Sequence, residues 1–362
     1  MTLPADPTRL AAFRIIAGDS LAVLPTLPAA SVQTVVTSPP YWGLRDYGID
    51  GQLGREATPG EYVAALVAIF AEVRRVLRDD GTVWLNLGDT FTAKNLTGIP
   101  WMVAFALRDD GWYLRSEIVW AKPNPMPESV TDRPTRSHEQ LFLLTKSPCY
   151  FYDHVAIREP ETSPEQTAHN QRYARAYDNE ARIEGGQPGN VNNRGIHARP
   201  GLPGRNKRDV WTVTPTPFPD AHFATYPPAL IEPCILAGTP PKCCGVCGAP
   251  WRRLTERTAM VVRPTPKREA WQASDDHART QTGGTMVEPP RIETIGWEPT
   301  CEHDDDTGRA MVLDPFCGAG TTGVVALRHG RDFTGIEMNP DYAVMARERI
   351  ADDAPLLNAE VA

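Results

Sequence analysis

The sequence lacks any apolar run long enough to span a bilayer, and it lacks other targeting signals as well. Its first residues, Met1 to Asp6, do not combine a basic stretch with an apolar one, as a secretory signal peptide does. The seven cysteines are odd in number and unevenly clustered, which argues against a secreted disulfide framework. These absences predict a soluble globular protein of a reducing cytoplasm, with no membrane partner.

An excess of positive charge is also missing. The chain has 37 Lys and Arg against 45 Asp and Glu, and its formal net charge is -8. Phosphate binding needs positive charge, so this balance by itself disfavours a nucleic-acid partner, although an average does not exclude a local basic patch. The length of 362 residues indicates one large domain or two to three smaller ones.

The apolar pattern alternates between strand and helix. It predicts strands at residues 13–19, 32–37, 82–89, 114–120, 140–145, 210–213 and 333–337, and another that starts at residue 311. It predicts helices at residues 20–27, 61–77, 99–107, 230–236, 324–328 and 341–350, with Asp79 to Gly81 ending the second helix. This alternation of strands and helices along the chain favours parallel strand pairing and a doubly wound α/β sheet.

Residues 37–42, Thr-Ser-Pro-Pro-Tyr-Trp, follow directly after a predicted strand. Two consecutive prolines cannot continue a sheet ladder or a helix, so the backbone must leave the strand as a stiff, extended arm. Ser38 can hydrogen-bond a small polar group, and the rings of Tyr41 and Trp42 offer flat faces to a flat ligand. The alternative is a structural Pro-Pro turn with core aromatics.

Three polar residues near strand ends have two interpretations each. Asp19 ends the first strand, so it either points into the crevice where α/β sheets bind ligands or caps the next helix. His138 and Glu139 precede a strand, where they serve as acid-base groups or as a hydrogen-bonded turn. For this pair the turn is the favoured interpretation.

A glycine-rich turn lies near the other end of the chain. Gly318, Gly320 and Gly323 match GxGxxG, and Glu337 ends the next strand, as the ribose hydroxyls of a nicotinamide dinucleotide would require. About forty residues follow Gly323, which are too few to finish a dinucleotide fold. The N-terminal strands must therefore complete the sheet, which makes the fold circularly permuted. A single nucleoside cofactor without a pyrophosphate fits this turn better.

The sequence between residues 158 and 208 has neither a helical nor a strand-like apolar periodicity, and Gly, Pro, Asn and Arg dominate there. This segment has nine basic and six acidic residues, a local charge of +3 in a chain of -8. Such a long structureless segment is either functional or disordered. We interpret residues 158–209 as a flexible basic segment suited to nucleic-acid recognition through phosphate and base-edge contacts, with a solvated linker as the alternative.

Cys244 and Cys247 form a CxxC with glycines beside it, and Cys301 and His303 form a second pair far along the chain. Together they predict a zinc-ribbon-like insert at residues 241–305 with a structural zinc ion. Free buried thiols and a redox CxxC are the alternatives, and Cys243 competes with Cys244 as the first ligand.

The motif at residues 37–41, Thr-Ser-Pro-Pro-Tyr, and the motif at residues 314–322, Asp-Pro-Phe-Cys-Gly-Ala-Gly-Thr-Thr, stand in that order in the chain. This pair resembles the S-adenosylmethionine-dependent DNA amino-methyltransferases of the permuted β group, which methylate cytosine N4 or adenine N6. The resemblance covers residues 13–145 and 210–350, and it implies a Rossmann-like methyltransferase sheet. It also implies double-stranded DNA as the partner, with or without a cognate restriction endonuclease.

The resemblance implies a catalytic half at residues 1–157 and a cofactor-binding half at residues 210–240 and 306–362. In the catalytic half, Ser38 and the Pro39 carbonyl would hold the target amine, and Pro40 and Tyr41 complete the tetrapeptide, with Tyr41 stacking on a flipped base. The implied cofactor-binding residues are Asp19, Phe223, Pro227, Asp314, Phe316, Gly318, Gly320, Thr321, Thr322 and Glu337.

In the family that the chain resembles, serine at the first position of the tetrapeptide is commoner among cytosine-N4 enzymes and aspartate among adenine-N6 enzymes, so the resemblance implies cytosine N4, with adenine N6 as the alternative. A methyltransferase acting on RNA or on a small molecule, and a zinc-ribbon nucleic-acid-binding protein without activity, are the more distant alternatives.

Overall fold

The computed structural model describes residues 11–159, 205–215, 225–257, 261–264, 284–288 and 292–353. The chain divides into two compact units. The larger unit comprises residues 1–157, 208–252 and 299–362, and the smaller comprises residues 158–207 and 253–298. Within the ranges that the structure describes, no helix has both the length and the apolar character needed to cross a membrane.

Strands outnumber helices in the described part of the chain. The strands are β1 (Phe13–Ala17), β2 (Val32–Thr37), β3 (Leu77–Leu87), β4 (Phe91–Thr92), β5 (Asn95–Leu96), β6 (Tyr113–Ala121), β7 (His138–Thr145), β8 (Val210–Thr212), β9 (Arg252–Arg257), β10 (Val261–Pro264), β11 (Gly284–Glu288), β12 (Ile292–Glu298), β13 (Met311–Asp314) and β14 (Asp332–Glu337). The helices are α1 (Ser20–Val23), α2 (Pro59–Val76), α3 (Ile99–Asp109), α4 (Pro228–Gly238), α5 (Thr321–Arg328) and α6 (Pro340–Asp353), and a 3₁₀ turn (Leu24–Thr26) follows α1.

Eight strands of the larger unit form one sheet in the order β1-β14-β13-β2-β3-β7-β6-β8. The late strands β13 and β14 lie between the early strands β1 and β2, and these four strands pair in parallel. Late strands therefore complete a sheet that early strands begin. The predicted doubly wound, permuted α/β sheet is confirmed.

Strand β7 departs from the expected parallel pairing, because it runs antiparallel to both of its neighbours, β3 and β6. Strands β3 and β6 still run in the same direction, as their strand-helix-strand order predicts, but β7 lies between them. It begins at His138, so His138 and Glu139 pair with Ala121 and Trp120 instead of forming a turn. The antiparallel direction brings the first residues of β7 to the edge where β3 and β6 end.

Helix α2 begins at a capping box. The Thr58 hydroxyl accepts from the Glu61 amide at 3.3 Å, and the Glu61 carboxylate accepts from the Thr58 amide at 3.0 Å. The helix ends at Val76, and the buried Leu77 is already extended and pairs with Val32 of β2. The prediction that residues 79–81 end this helix was wrong, because they already lie within β3, between Leu77 and Thr82, which both pair with β2.

Apolar side chains cover both faces of the sheet. On one face α2 and α3 contribute side chains such as Phe70 and Val103, which are fully buried. On the other face α4, α5 and α6 contribute side chains such as Leu230 and Ala346. The Phe70 ring packs edge-on against Trp112, with ring centroids 6.4 Å apart. These two layers hold the carboxyl edge of the sheet in a fixed shape.

We expect Phe70→Ala to lower the free energy of unfolding by about 3–5 kcal/mol, because it leaves a cavity in a closed core. The matched control is Phe105→Ala on α3, whose side chain is 44% exposed. It should cost about 1 kcal/mol or less. Urea denaturation followed by circular dichroism measures both, and equal losses for the two variants would contradict this account of the core.

Candidate active site

A cavity of about 360 Å³ opens at the carboxyl edge of the sheet. Its wall includes residues 38–41 after β2, residues 316–319 after β13, and Glu337 at the end of β14. Parallel strands end at the same edge, which is where open α/β sheets bind their ligands. The Ser-Pro-Pro-Tyr arm and the glycine-rich loop, far apart in the sequence, therefore face the same space.

The glycine-rich loop is anchored to β14. The Gly318 amide donates to Glu337 Oε2 at 2.8 Å, and the Asn339 amide donates to Glu337 Oε1 at 2.9 Å. Burial raises the pKa of the Glu337 carboxyl above its ordinary value. Gly320 caps α5 with a φ of +75°, a left-handed conformation that favours glycine. The loop thus enters α5 with its backbone against the cavity.

Asp314 lies beneath this loop and is buried. Its Oδ1 accepts from the Thr37 hydroxyl at 2.6 Å and from the Phe316 amide at 3.0 Å. Its Oδ2 accepts from the Thr322 hydroxyl at 2.6 Å and from the Tyr226 hydroxyl at 3.0 Å. Burial raises the pKa of the Asp314 carboxyl, and these hydrogen bonds oppose that shift. One carboxylate therefore joins the end of β2 to the loop after β13.

The residues proposed from the sequence fall into three groups. Those that line the cavity are Asp19, Ser38, Pro39, Pro40, Tyr41, Phe316, Gly318, Thr321 and Glu337. Those that are buried behind its wall are Pro227, Asp314, Gly320 and Thr322. Phe223 and most of the basic segment at residues 158–209 lie outside the described residues.

Asp19 fits both of its interpretations. Its carboxylate accepts from the Leu21 amide at 2.6 Å and so caps α1, and the residue also lines the cavity. Capping uses one oxygen, which leaves acceptor capacity on the other.

The Ser-Pro-Pro-Tyr arm is held by hydrogen bonds at its hydroxyls. Ser38 Oγ donates to the Tyr41 hydroxyl at 3.2 Å, which itself donates to Glu139 Oε2 at 2.8 Å. The Pro40 carbonyl accepts from the Tyr62 hydroxyl at 2.8 Å. The Pro39 carbonyl takes no hydrogen bond from the part of the chain that the structure describes. The carbonyl of Pro39 thus remains available to a ligand.

Burial and the nearby Glu139 charge raise the pKa of the Tyr41 hydroxyl well above its ordinary value. The hydroxyl therefore stays protonated at neutral pH and acts as a donor to Glu139.

Three polar residues complete this side of the cavity, and the sequence did not assign them to it. Asn86 Nδ2 donates to the Tyr41 hydroxyl at 2.7 Å and to Glu139 Oε2 at 2.8 Å. Lys122 forms an ion pair with Glu139 Oε1, and its Nζ lies 4.2 Å from the centroid of the Trp120 ring. The polar Asn86 between the apolar Leu85 and Leu87 was the one available signal. Glu139 was interpreted as a turn because the direction of β7 cannot be inferred locally.

Asn86 also has an acceptor that is not used. Because its Nδ2 must face the Glu139 carboxylate, which only accepts, its Oδ1 points the other way. This buried Oδ1 has no hydrogen-bond partner among the residues with described positions. A buried acceptor of this kind is costly unless a ligand or water supplies a donor.

The four proposed metal ligands lie outside this cavity. The Sγ atoms of Cys244, Cys247 and Cys301 and a ring nitrogen of His303 all lie within 4.8 Å of one another. The two pairs, far apart in the sequence, therefore meet in space.

The fold is that of methyltransferase structures. The PvuII DNA methyltransferase (cytosine-N4-specific) aligns with a TM-score of 0.55 and 16% identity, over 99% of this chain and 96% of that one. A family model described as DNA methylase (N6_N4_Mtase) matches residues 32–244 and 304–348.

Full-length relatives agree with the family match. Type II methyltransferase M.XycI of Xanthomonas campestris pv. cyanopsidis is 39% identical over 96% of this chain and 91% of its own length. Type II methyltransferase M.Cfr9I of Citrobacter freundii is 38% identical over 96% of this chain and 90% of its own length. The chain belongs to the N6/N4 DNA methylase family, which confirms the resemblance drawn from the two motifs.

The Tyr41 ring packs so close to Gly88 that no side chain fits there. A Cβ at residue 88 would lie 2.4 Å from Cε2 of Tyr41. We expect Gly88→Ala to displace this ring and to lower DNA methyltransferase activity about tenfold or more. Gly60→Ala on α2 is the matched control, because its nearest neighbour would be 4.0 Å away. Equal activity of both variants in a methyl-transfer assay would show that the position of Tyr41 is unimportant.

Proposed function

We propose that the protein transfers a methyl group from S-adenosylmethionine to the exocyclic N4 of a cytosine flipped out of duplex DNA. The observation that carries the proposal is the shared cavity, in which the hydroxyl and carbonyl of the arm after β2 face the loop after β13. A methyl donor on the loop side and an amine on the arm side would meet there. The description of the relatives as type II methyltransferases supports site-specific modification of DNA.

The loop side fits a nucleoside with free ribose hydroxyls. Each oxygen of Glu337 accepts one backbone amide, which leaves lone pairs for two hydroxyls. Phe316, Ile336 and Met338 add apolar surface to the same wall, as a flat adenine ring requires. Asp19 would accept from the adenine amine. The bound S-adenosylmethionine supplies an electrophilic methyl group on a sulfonium.

The arm side fits an amine that must be made nucleophilic. The lone pair of an exocyclic amine is delocalised into the base, so the free amine is a poor nucleophile. Ser38 Oγ and the available Pro39 carbonyl would accept the two amine hydrogens, which favours pyramidal geometry and localises the lone pair. Catalysis would then rest mainly on position and on fixed dipoles.

Tyr41, Asn86 and Glu139 would hold the base in place. The Tyr41 ring would stack on the flipped base, and its hydroxyl is fixed by Asn86 and Glu139. The unused Oδ1 of Asn86 offers one more acceptor at this wall. Lys122 forms an ion pair with Glu139 Oε1 and so holds the carboxylate in place beside the Tyr41 hydroxyl.

Serine at the first position of the tetrapeptide, which is commoner in the cytosine-N4 branch of the family, supports cytosine N4. Adenine N6 is the alternative, because both amines present two hydrogens to the same acceptors. We expect DNA methylated by the purified protein to release N4-methylcytosine on digestion to nucleosides, as identified by mass spectrometry. Release of N6-methyladenine instead would contradict cytosine N4 and support the adenine-N6 alternative. Methylated RNA with unmodified DNA would reject both.

Ser38→Ala should lower the rate of methyl transfer about hundredfold, because it removes one acceptor for the amine. S-adenosylmethionine should bind with unchanged affinity in calorimetry, since the loop side is untouched. Ser31→Ala is the control, because Ser31 is exposed before β2 and its hydroxyl bonds only the Pro28 carbonyl among the described contacts. Full activity of Ser38→Ala would refute its assignment to the target amine.

A further inference from the structure

We propose that Cys244, Cys247, Cys301 and His303 bind a structural zinc ion at the edge of the sheet opposite the cavity. The inference is independent of the proposed function, since it concerns a site that takes no part in methyl transfer. The four ligand atoms already lie within 4.8 Å of one another. In a tetrahedral zinc site with Zn–S bonds of about 2.3 Å, the sulfurs lie about 3.8 Å apart, so only a small contraction is needed.

The chemistry of the donors selects the metal. Three thiols and one imidazole suit zinc, whereas magnesium and calcium require oxygen ligands. The described cysteines form no disulfide with one another, so the three thiols are available. Cys244 is buried while Cys247 and His303 are exposed, which leaves a route for the ion to enter.

The first pair of ligands is held in a tight turn. Cys244 Sγ accepts from the backbone amides of Val246 at 3.3 Å and Cys247 at 3.4 Å. The Gly248 amide closes the turn by donating to the Cys244 carbonyl at 2.8 Å. Amides directed at a sulfur stabilise a thiolate, which is the form that binds zinc.

The structure also decides between the neighbouring cysteines. The Cys243 backbone pairs with Gly308 in both directions, at 3.1 and 3.0 Å, and its buried sulfur lies 3.8 Å from Gln33 Nε2. Its side chain is therefore directed to β2 and away from the other thiols. Cys244 is the ligand of this pair.

The second pair of ligands is brought to the first by contacts that need no metal. The Thr300 hydroxyl donates to the Pro250 carbonyl at 2.6 Å, just before Cys301. The Trp251 indole donates to the Asp305 carbonyl at 3.2 Å, just after His303. The site is thus preorganised on both sides, which lowers the entropic cost of assembling the ligands.

The site adjoins the start of the parallel strands. Gln33 Nε2 at the start of β2 donates to the Gly248 carbonyl at 3.0 Å, and Arg78 at the start of β3 donates to the Cys247 carbonyl at 2.9 Å. Ser38 follows the other end of β2, about 16 Å away at the rise of a strand. Zinc here would stabilise structure and would not touch the reacting groups.

The two ligand pairs stand on either side of residues 253–298 in the chain, a segment that belongs to the smaller unit. A metal that joins the pairs would close this long loop at its base. Fixing the ends of a long loop removes conformational freedom from the unfolded chain. The ion would therefore fix Cys247 and Cys301, which flank this segment in the chain.

Metal analysis of the purified full-length protein tests the site. We expect about one zinc ion per chain, and we expect Cys301→Ser to lose most of it. Cys149→Ser is the matched control, because Cys149 is exposed and lies outside the cluster. It should retain the zinc content of the wild type. A folded wild-type chain without zinc, or a Cys301→Ser variant with full zinc, would overturn the proposal.

Cobalt substitution covers the case in which Cys301→Ser fails to fold. The wild-type chain, stripped of metal and loaded with Co²⁺, should show the visible bands of a tetrahedral thiolate site and lose them when zinc is added. A spectrum of octahedral Co²⁺, or none above free cobalt, contradicts the assignment. Neither measurement depends on methyl transfer, so the proposal of a zinc site and the proposal of methyltransferase specificity can be refuted independently.

Discussion

The active-site geometry depends on one buried carboxylate. Asp314 accepts hydrogen bonds from Thr37 at the end of β2, from Phe316 in the loop after β13 and from Thr322 in the first turn of α5, and a fourth from Tyr226. Thr37 and Asp314 are 277 residues apart in the chain, yet this contact fixes the distance between the arm and the loop. A buried carboxylate is tolerated only when its oxygens are satisfied, and four donors do so here. The two motifs behave as one rigid wall because they share this group.

The second constraint comes from the direction of β7. An antiparallel strand between β3 and β6 places its first residues, rather than its last, at the edge where the ligand cavity opens. Glu139 can reach Tyr41 and Asn86 for this reason. The Tyr41 hydroxyl is thus held by groups from two strands, Asn86 of β3 and Glu139 of β7.

Most local features could be predicted from the sequence, and so could the two main motifs, the Ser-Pro-Pro-Tyr arm and the glycine-rich loop. Strand and helix positions followed from apolar periodicity, and the permuted order followed from the short stretch after Gly323. The direction of β7 was not predictable, because strand pairing is decided by partners far away in the chain. The roles of Asn86, Lys122 and Glu139 were missed for the same reason. The assignment of Asp314 to the cofactor stays a prediction, and the four hydrogen bonds that its carboxylate accepts come from the protein itself.

The pairing of β1 with β14 has a consequence for how the chain folds. The Ala12 amide donates to the Asp332 carboxylate across a separation of 320 residues, and β1 pairs with no other strand of the described sheet. During synthesis on the ribosome, β1 must therefore stay unpaired until β14 has emerged. Contacts of such long range slow folding and expose strand edges in the meantime. Permuting the order of the strands leaves the finished sheet unchanged but delays the pairing of its first strand until β14 has been synthesised.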